Sequence, residues 1–594
     1  MRTRFSFALT ITTGFAFFLL VSSMAHAQPQ ETVSDSGLRS LIDELWEFDL
    51  QESPLRATNV GDHRFDDQLG QVSVADATRR NQTVTEFSER LAKIIASNTL
   101  NDGDSLNADI LQRLLKQRLS DFKFEQFYTP ITNRGGFHVD FPELPKKVPL
   151  KTAEEYRNYI SRLNHFKRLA DQHVEIMSEG MKKGHSLPGV VLDGYEETIT
   201  SNIVEDAKDS LLFEPFREFP EGISESDRKD LRKAGLAAIN DSVLPGYRAF
   251  HKFMAEEYIP KARDTIAASA LPNGREFYRY CVKRYTTLDL LPEEVHETGK
   301  REVARIREEM LGIMKKVEFD GELSDFLEHL RTDEKFYAKT PDELLRETAF
   351  TLKKIDGLLP RLFKTLPRTP YGVRVIPEYI APKTTTAYYM PPRGDGSEAG
   401  FYYVNTYNLK SRPLYEIQAL SLHEAVPGHH LQIALQQELG DVPQFRRFGG
   451  FTAYIEGWAL YAERLGLEVG FYEDPYDDFG RLTYEMWRAC RLVVDTGMHY
   501  LGWTRQQAIE FMEQNSALSK HNIRSEVDRY ISWPGQALGY KIGELKIREL
   551  RKTAEEKLGK KFDIRDFHDV VLLSGAVPLD ILENRVNAWI EKSR

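Results

Sequence analysis

Cysteine is scarce in this sequence. The 594 residues include only two cysteines, Cys281 and Cys490, which lie far apart along the chain. A disulfide scaffold and a metal site with cysteine ligands are therefore excluded. Any metal would have to be held by histidine and carboxylate side chains.

Positive charge is also limited. The chain has 79 Lys and Arg against 90 Asp and Glu, which gives a formal net charge of −11 at pH 7. Because binding to phosphate backbones needs a basic face, and Lys and Arg form only short surface runs here, nucleic acid is excluded as a partner. Glycine and proline are near average at 38 and 27, and 41% of the residues are hydrophobic. This composition excludes collagen-like and disordered chains and allows a large core.

The first residues read as a targeting segment. Arg2 and Arg4 precede an apolar run over residues 5–24, and Ala25-His26-Ala27 then supplies small residues at the −3 and −1 positions of a signal-peptidase site. The sequence predicts a cleaved signal peptide over residues 1–27, a periplasmic or extracellular protein, and no stable membrane insertion after cleavage. An uncleaved membrane anchor is the alternative. No cysteine follows the cleavage point, which argues against a lipoprotein.

Residues 28–370 predict a long helical section, because apolar residues recur at three- and four-residue spacing within charged stretches. Thr340-Pro341 and Leu291-Pro292 are typical helix starts, with proline in the first turn and acidic residues after it. The clearest helices are predicted over residues 38–50, 78–95, 153–181, 226–258, 292–317 and 341–363.

The pattern changes at the start of a second section, residues 371–594. Short β-branched or aromatic runs at 373–376, 384–390 and 401–405 predict a small sheet, and helices return from Leu414 onward. The predicted fold class is mainly α, a multi-helical fold with a small β-sheet beside a metal-binding helix and a deep cleft. The two sections are predicted to pack as one continuous unit.

The most informative run is His423-Glu424-Ala425-Val426-Pro427-Gly428-His429-His430. It begins like a zinc-hydrolase helix, in which two histidines one turn apart hold the metal and a glutamate acts as base on a water. It departs from the usual HExxH spacing because position 427 is proline. A kinked helix whose histidines cap a broken turn is the structural alternative, although three histidines beside a glutamate form a dense polar cluster to bury without purpose.

Helix geometry leaves two candidates for the second histidine ligand. At about 100° per residue, neither His429 nor His430 can share a metal with His423 on a straight helix. Pro427 and Gly428 permit a distortion: a bulge of two residues would bring His429 into place, and one of three would bring His430. We favour His429 because the smaller distortion suffices, with His430 as the alternative.

A second helix, predicted over residues 451–463, offers the third ligand. It is nearly all apolar or small except for Glu456 and Glu463, which lie seven residues apart and so on one face. Because a buried carboxylate needs a cation to offset its desolvation, Glu456 is the predicted third ligand. Glu463 is predicted to accept a hydrogen bond from a ligand histidine, or else to form a simple ion pair. Ligation by two histidines and a glutamate favours Zn²⁺ as the cofactor.

These runs resemble a large, poorly characterised bacterial family of the zincin superfamily, which carries HExxPGHH followed by an EGWA segment. Residues 57–61, 286–299, 488–497 and 534–543 extend the likeness over nearly all of the mature chain. The resemblance implies a mostly helical, gluzincin-type fold, related more distantly to thimet oligopeptidase, angiotensin-converting enzyme and the thermostable carboxypeptidases. In those enzymes a glycine precedes the second histidine ligand, as Gly428 precedes His429 here.

The requirements of peptide hydrolysis assign further roles. Glu424, adjacent to a ligand, is the predicted base, and the developing oxyanion needs a donor. The resemblance implies a Tyr or His far downstream for that donor, and Tyr540 is our candidate. His499, also placed around the metal ligands, and His521 are less favoured for the same task.

Substrate contacts are predicted on either side of this machinery. The cations Arg488, Arg491 and Lys541 could bind a terminal carboxylate. Arg488 and Arg491 share a helical face with Asp495, so a structural ion-pair network explains those two equally well. The strand runs before the metal helix, the second ending at Asn405, offer an edge along which an extended peptide could dock.

The sequence therefore predicts an exported zinc metallopeptidase that hydrolyses short peptides, with His423, His429 and Glu456 as ligands. A metal-dependent hydrolase of a non-peptide amide or ester is the first alternative. A non-catalytic exported binding protein stabilised by metal is the second, and it predicts a closed shell that engages both His429 and His430. The sequence leaves open the choice between exo- and endopeptidase action and the oligomeric state.

Overall fold

A computed structural model of the protein describes residues 33–97, 99–378, 381, 385–440 and 442–594. The predicted signal peptide, residues 1–27, lies outside these ranges. Among the helices in these ranges, none combines the length and the apolar character that crossing a membrane requires.

The first section is helical, and local capping explains where several helices begin. The Thr152 side chain accepts from the Glu155 backbone N–H while Glu155 bonds back, a capping box that starts a 30-residue helix at Ala153. The starts predicted at Pro292 and Pro341 are confirmed. The helices of this section are α1 (Ser36–Glu52), α2 (Pro54–Val60), α3 (Val74–Ser97), α4 (Asp102–Lys123), α5 (Phe137–Asp140), α6 (Leu144–Lys147), α7 (Ala153–Lys182), α8 (Glu197–Thr200), α9 (Glu225–Ala238), α10 (Leu244–Phe253), α11 (Gly274–Thr286), α12 (Pro292–Lys316), α13 (Leu323–Thr332), α14 (Pro341–Asp356) and α15 (Leu359–Leu362).

The small sheet is where the sequence predicts it. Its strands are β1 (Tyr371–Val375), β2 (Ala387–Met390) and β3 (Gly400–Val404), in the order β1-β3-β2. β3 runs parallel to β1 and antiparallel to β2, with Tyr389 opposite Tyr402. β2 is therefore an edge strand of this sheet, with one side of its backbone free of strand partners among the described residues.

The second section is helical after the sheet, which confirms the mainly α fold class. Its helices are α16 (Ile417–Glu424), α17 (His429–Gln437), α18 (Gln444–Arg447), α19 (Thr452–Glu468), α20 (Pro475–Tyr500), α21 (Arg505–Asn515), α22 (Lys520–Ser532), α23 (Leu538–Leu558), α24 (Ile564–Leu572) and α25 (Leu579–Ser593).

Two close helix crossings position the elements that carry the candidate site. α12 packs along α20, and a side-chain carbon at Gly299 would lie 2.7 Å from Leu492 Cβ. α19 crosses α23 at Gly457 and Gly543, where a carbon added to Gly543 would lie 1.9 Å from the Ala453 carbonyl oxygen. Such contact between backbones is possible only at glycine. It fixes Glu456, the residue before Gly457, relative to α23.

Candidate metal centre

The run from His423 to His430 is a break between two helices. α16 ends at Glu424, residues 425–428 form a turn with a cis peptide bond before Pro427, and α17 begins at His429. The sequence predicts a bulged helix here, and the structure has a full interruption instead. The turn brings the His423 and His429 rings to a centroid separation of 4.8 Å.

Two contacts explain why this turn is compact. A side-chain carbon at Gly428 would lie 1.9 Å from the His423 carbonyl oxygen, so only glycine fits. The Trp458 indole N–H donates to the Pro427 carbonyl oxygen at 2.8 Å and ties the turn to α19. The first turn of α17 is thereby held against the end of α16.

His423, His429 and Glu456 converge on one point. One ligand atom from each lies within 4.8 Å of the others, and Glu456 Oε2 is 3.6 Å from His423 Nε2 and 3.5 Å from His429 Nε2. Zinc bonds of about 2.0–2.1 Å in tetrahedral geometry place neighbouring ligand atoms about 3.3 Å apart. The donor set and its spacing therefore fit a divalent metal such as Zn²⁺.

Glu463 lies behind this cluster and orients one of its histidines. Its Oε1 is 2.8 Å from His423 Nδ1, so Nδ1 donates to Glu463 and Nε2 faces Glu456. Burial lowers the pKa of His423, but its hydrogen bonds to Glu456 and Glu463 outweigh this and raise the pKa to about 9. Burial opposes ionisation of Glu456, yet the two histidines hold its pKa well below the usual range.

His430 points away from the cluster. Its Nδ1 is 2.8 Å from the Tyr389 hydroxyl and its Nε2 is 3.1 Å from the Thr369 carbonyl oxygen. Both ring nitrogens are therefore engaged, with Nε2 donating to the carbonyl and Nδ1 accepting from the hydroxyl. Burial lowers the pKa of this histidine to about 4. Of the two ligands that the sequence left open, the structure places His429 at the cluster.

A cavity of about 490 Å³ opens over the cluster. Glu424 lines it beside His423, and its carboxylate has no hydrogen-bond partner within the described part of the chain. The edge strand β2 and the residues just before it line the same cavity. The predicted Tyr540, Arg488 and Arg491 line it as well, so the structure brings these four candidate residues together with the metal cluster.

Sequence reasoning missed part of this cavity wall. Glu526 and Arg529 of α22 lie beside Arg491, and their three-residue spacing within an amphipathic helix was the one available signal. Asn133 and Arg134 reach the cavity from the first section, where Arg134 Nη2 lies 2.8 Å from Glu526 Oε1. No sequence pattern predicts that these two residues reach the cavity, because their placement depends entirely on tertiary packing.

Lys541, predicted to bind substrate, does not line the cavity. Its side chain is 0% exposed, and Nζ lies within 2.8–3.0 Å of the carboxylates of Glu485, Glu544 and Glu302. Burial lowers its pKa, but these three carboxylates outweigh that effect and raise it. Lys541 is therefore not placed to bind substrate as the sequence predicts, because α20 and α12 bring acidic residues to it on the side away from the cavity.

We expect Lys541→Met to lower the free energy of unfolding by about 3–5 kcal/mol, because it leaves buried carboxylates without their cation. Thermal unfolding would measure this, with Lys552→Met as the matched control on the same helix, since Lys552 is exposed and its nearest carboxylate is 3.8 Å away. Equal melting temperatures for the two variants would contradict a structural role for Lys541.

Asn405, the other predicted substrate contact, is fully buried. Its amide nitrogen donates to the carbonyl oxygens of Ala381 and Thr385, and its Oδ1 accepts from the Tyr407 backbone N–H. It therefore fastens the loop that precedes β2 to the end of β3. The edge that faces the cavity belongs to β2, one strand away from Asn405.

His499 also lies away from the metal cluster. Its Nδ1 accepts from the Ala268 backbone N–H at 3.0 Å, and its Nε2 donates to the Tyr530 carbonyl oxygen at 2.9 Å. Burial lowers its pKa to about 4. His499 thus joins α20 to α22 and to a loop of the first section. His521, the remaining alternative donor, is exposed on α22.

The depressed pKa of His499 gives a stability effect with a definite sign. The unfolded chain binds a proton here near pH 6.5, whereas the folded chain resists it down to about 4, so stability falls as pH drops through that window. For this one group the loss is about 3 kcal/mol.

We therefore expect the stability difference between the wild type and His499→Gln to shrink between pH 6.5 and 4, as measured by urea unfolding at several pH values. A difference that stays constant across this range would contradict the assignment.

The fold and the cluster together describe a mainly helical protein with a candidate two-histidine, one-glutamate metal centre in a cavity. The chain belongs to the family described as "Bacterial protein of unknown function (DUF885)", which matches residues 54–586. No curated protein matches it.

Two of the solved structures that are similar to this chain are described as putative lipoproteins. One, from Colwellia psychrerythraea, is 29% identical with a TM-score of 0.89 and covers 93% of this chain and 99% of its own. The other, of unknown function and from Shewanella oneidensis, is 19% identical with a TM-score of 0.64 and covers 92% and 98%. At 19% identity the second likeness concerns the fold alone.

Proposed function

We propose that this protein is an exported, zinc-dependent metallopeptidase of the gluzincin type that hydrolyses short peptides. The observation that carries the proposal is the convergence of His423, His429 and Glu456, with Glu424 free beside them in one cavity. In zinc hydrolases three protein ligands leave a position open for water, and an adjacent glutamate serves as base. The description of the 29% identical structure from Colwellia psychrerythraea as a putative lipoprotein supports an exported or envelope location.

Each residue of the cavity has a separate role in the proposed hydrolysis. A divalent metal held by the three ligands would polarise the scissile carbonyl and make a water more acidic. Glu424 would take a proton from a water as the water oxygen adds to the carbonyl carbon, and would pass that proton to the amine nitrogen as the C–N bond breaks. Glu463 keeps His423 in the tautomer that presents Nε2. Tyr540, whose hydroxyl lies 3.5 Å from Arg529 Nη2, would donate to the developing oxyanion.

The shape of the cavity favours a short, extended substrate. A volume of about 490 Å³ holds a few residues and excludes a folded protein. β2 lines the cavity, and the side of it that lacks a strand partner among the described residues would offer main-chain donors and acceptors to an extended backbone, which supports peptides over isolated amides or esters. A non-catalytic closed metal shell would need His430, whose ring nitrogens are both bonded elsewhere.

Metal analysis combined with cleavage mapping tests the proposal. Purified protein should contain about one zinc per chain, should cut members of a mixed peptide pool as read by mass spectrometry, and should stop doing so with a chelator until zinc is restored. Protein that binds zinc but leaves the pool uncut would refute the peptidase assignment. Cleavage unaffected by chelation would refute the metal assignment.

A further inference from the structure

One wall of the cavity carries an excess of positive charge. Four arginines line the cavity, Arg134, Arg488, Arg491 and Arg529, against the three carboxylates Glu424, Glu456 and Glu526. A divalent metal at the cluster would add two further positive charges. This excess occurs in a protein whose formal net charge is −11, so the general composition does not explain it.

Glu526 organises this wall without neutralising it. Its Oε1 is 2.8 Å from Arg134 Nη2, and its Oε2 is 3.1 Å from Arg491 Nη2 and 3.3 Å from Arg529 Nη1. One buried carboxylate thus holds three guanidinium groups together. Arg491 Nη1 and Arg488 Nε are buried without a hydrogen-bond partner among the described residues. Buried, under-compensated guanidinium groups are costly unless an anion joins them.

The wall begins close to the metal cluster. Arg488 Nη2 is 3.8 Å from Glu463 Oε1, the oxygen that holds His423. Arg491 is three residues further along α20, which is a rise of about 4.5 Å. An extended peptide advances about 3.3–3.6 Å per residue. The wall and the metal cluster also line the same cavity of about 490 Å³, so an anion on the wall would lie close to a peptide bond at the metal cluster.

We propose that the arginine wall, which consists of Arg488 together with Arg491 and Arg529, the two held by Glu526, binds the C-terminal carboxylate of the substrate, so that the enzyme releases one or two residues from the C-terminus. This inference rests on the proposed peptidase function. Arg529, with 18% of its side chain exposed, makes the first contact, and the more deeply buried Arg491 supplies charge behind it. Arginine suits this task because its planar fork matches a carboxylate.

The test compares one short peptide in three forms: unmodified, with a C-terminal amide, and with an N-terminal acetyl group. Amidation should lower kcat/KM about 10- to 100-fold, because it removes a charge-assisted hydrogen bond, and acetylation should change it little. Calorimetry with the zinc-loaded Glu424→Gln variant, in which Glu424 no longer acts as base, should show the same preference in Kd. An amidated peptide that ends in Glu separates a side-chain carboxylate from the terminal one and should behave like the other amide.

Variants of Arg529 test whether the C-terminal carboxylate of the peptide binds at the arginine wall. Arg529→Gln should remove most of the preference for the free carboxylate while zinc content and melting temperature stay close to the wild type, and Arg529→Lys should restore part of it. Arg232→Gln is the matched control, since Arg232 lies on α9 with its guanidinium over the Phe219 ring and does not line the cavity. Equal Kd values for the free and amidated peptides, or internal cuts in longer peptides, would overturn this inference. If calorimetry shows the preference but no form is ever cleaved, the peptidase function fails and the carboxylate site stands.

Discussion

Glu424→Gln is expected to reduce kcat about 100- to 10,000-fold while the protein keeps about one zinc per chain. Glutamine has the size of glutamate and can still hydrogen-bond a water, but it cannot take a proton at neutral pH. Glu424 is not one of the three converging ligand residues, so the metal should stay. The measurements are initial rates on a cleaved peptide and metal content by mass spectrometry.

The matched control for this variant is Glu468→Gln. Glu468 lies at the end of α19, is 41% exposed and pairs with Arg551 on the protein surface. It should leave kcat and metal content unchanged. If Glu424→Gln retained wild-type turnover, Glu424 would not be the base. If it lost its zinc together with turnover, Glu424 would be a ligand.

His429→Ala is expected to remove the metal, whereas His430→Ala should not. His429 supplies one of three converging ligand atoms, so its loss should weaken zinc binding by more than the roughly 10- to 100-fold that loss of a ligand's hydrogen-bond partner costs. Glu463→Gln should fall in that lower range, because Glu463 only orients His423. Zinc affinity measured against a competing chelator should therefore rank the variants His429→Ala, Glu463→Gln and His430→Ala, from weakest to tightest.

This ranking distinguishes the two ligand sets that the sequence permits, one with His429 and one with His430 as the second histidine. A greater loss of affinity in His430→Ala than in His429→Ala would show that the metal-loaded protein rearranges the 425–428 turn. His430→Ala should instead show its effect on stability, since it breaks the hydrogen bonds to Tyr389 and Thr369.

Local patterns explain what the sequence predicts well. The helix starts at Pro292 and Pro341 and the three short strands follow from residues adjacent in the chain, and the structure has them. The sequence also predicts that His423, His429 and Glu456 converge, because the run from His423 to His430 and the isolated Glu456 are easy to recognise. A lone glutamate in the apolar stretch before Trp458 is a strong signal because few functions other than binding a cation explain it.

The rest depends on contacts between distant segments. Lys541 and Arg529 are both cations close to Tyr540 in sequence, and only the packing of α12 and α20 against α23 separates the buried ion network from the cavity wall. The full interruption at residues 425–428 depends on the Trp458 hydrogen bond and on the close approach at Gly428. Neither contact is visible in the local pattern of the run.

The interruption at residues 425–428 has a consequence for the lifetime of the protein. Because His423 lies in the last turn of α16, His429 begins α17 and Glu456 belongs to α19, a metal would join three separate helices across a turn that is also held by the Trp458 indole and by the hydrogen bond from the His430 backbone N–H to the Ala425 carbonyl oxygen. Ligand binding to the folded state alone adds to its stability, and local opening is what exposes a chain to proteolysis. If the proposed site binds zinc, the supply of zinc would set how long each molecule survives among proteases as well as the rate of any reaction that it catalyses.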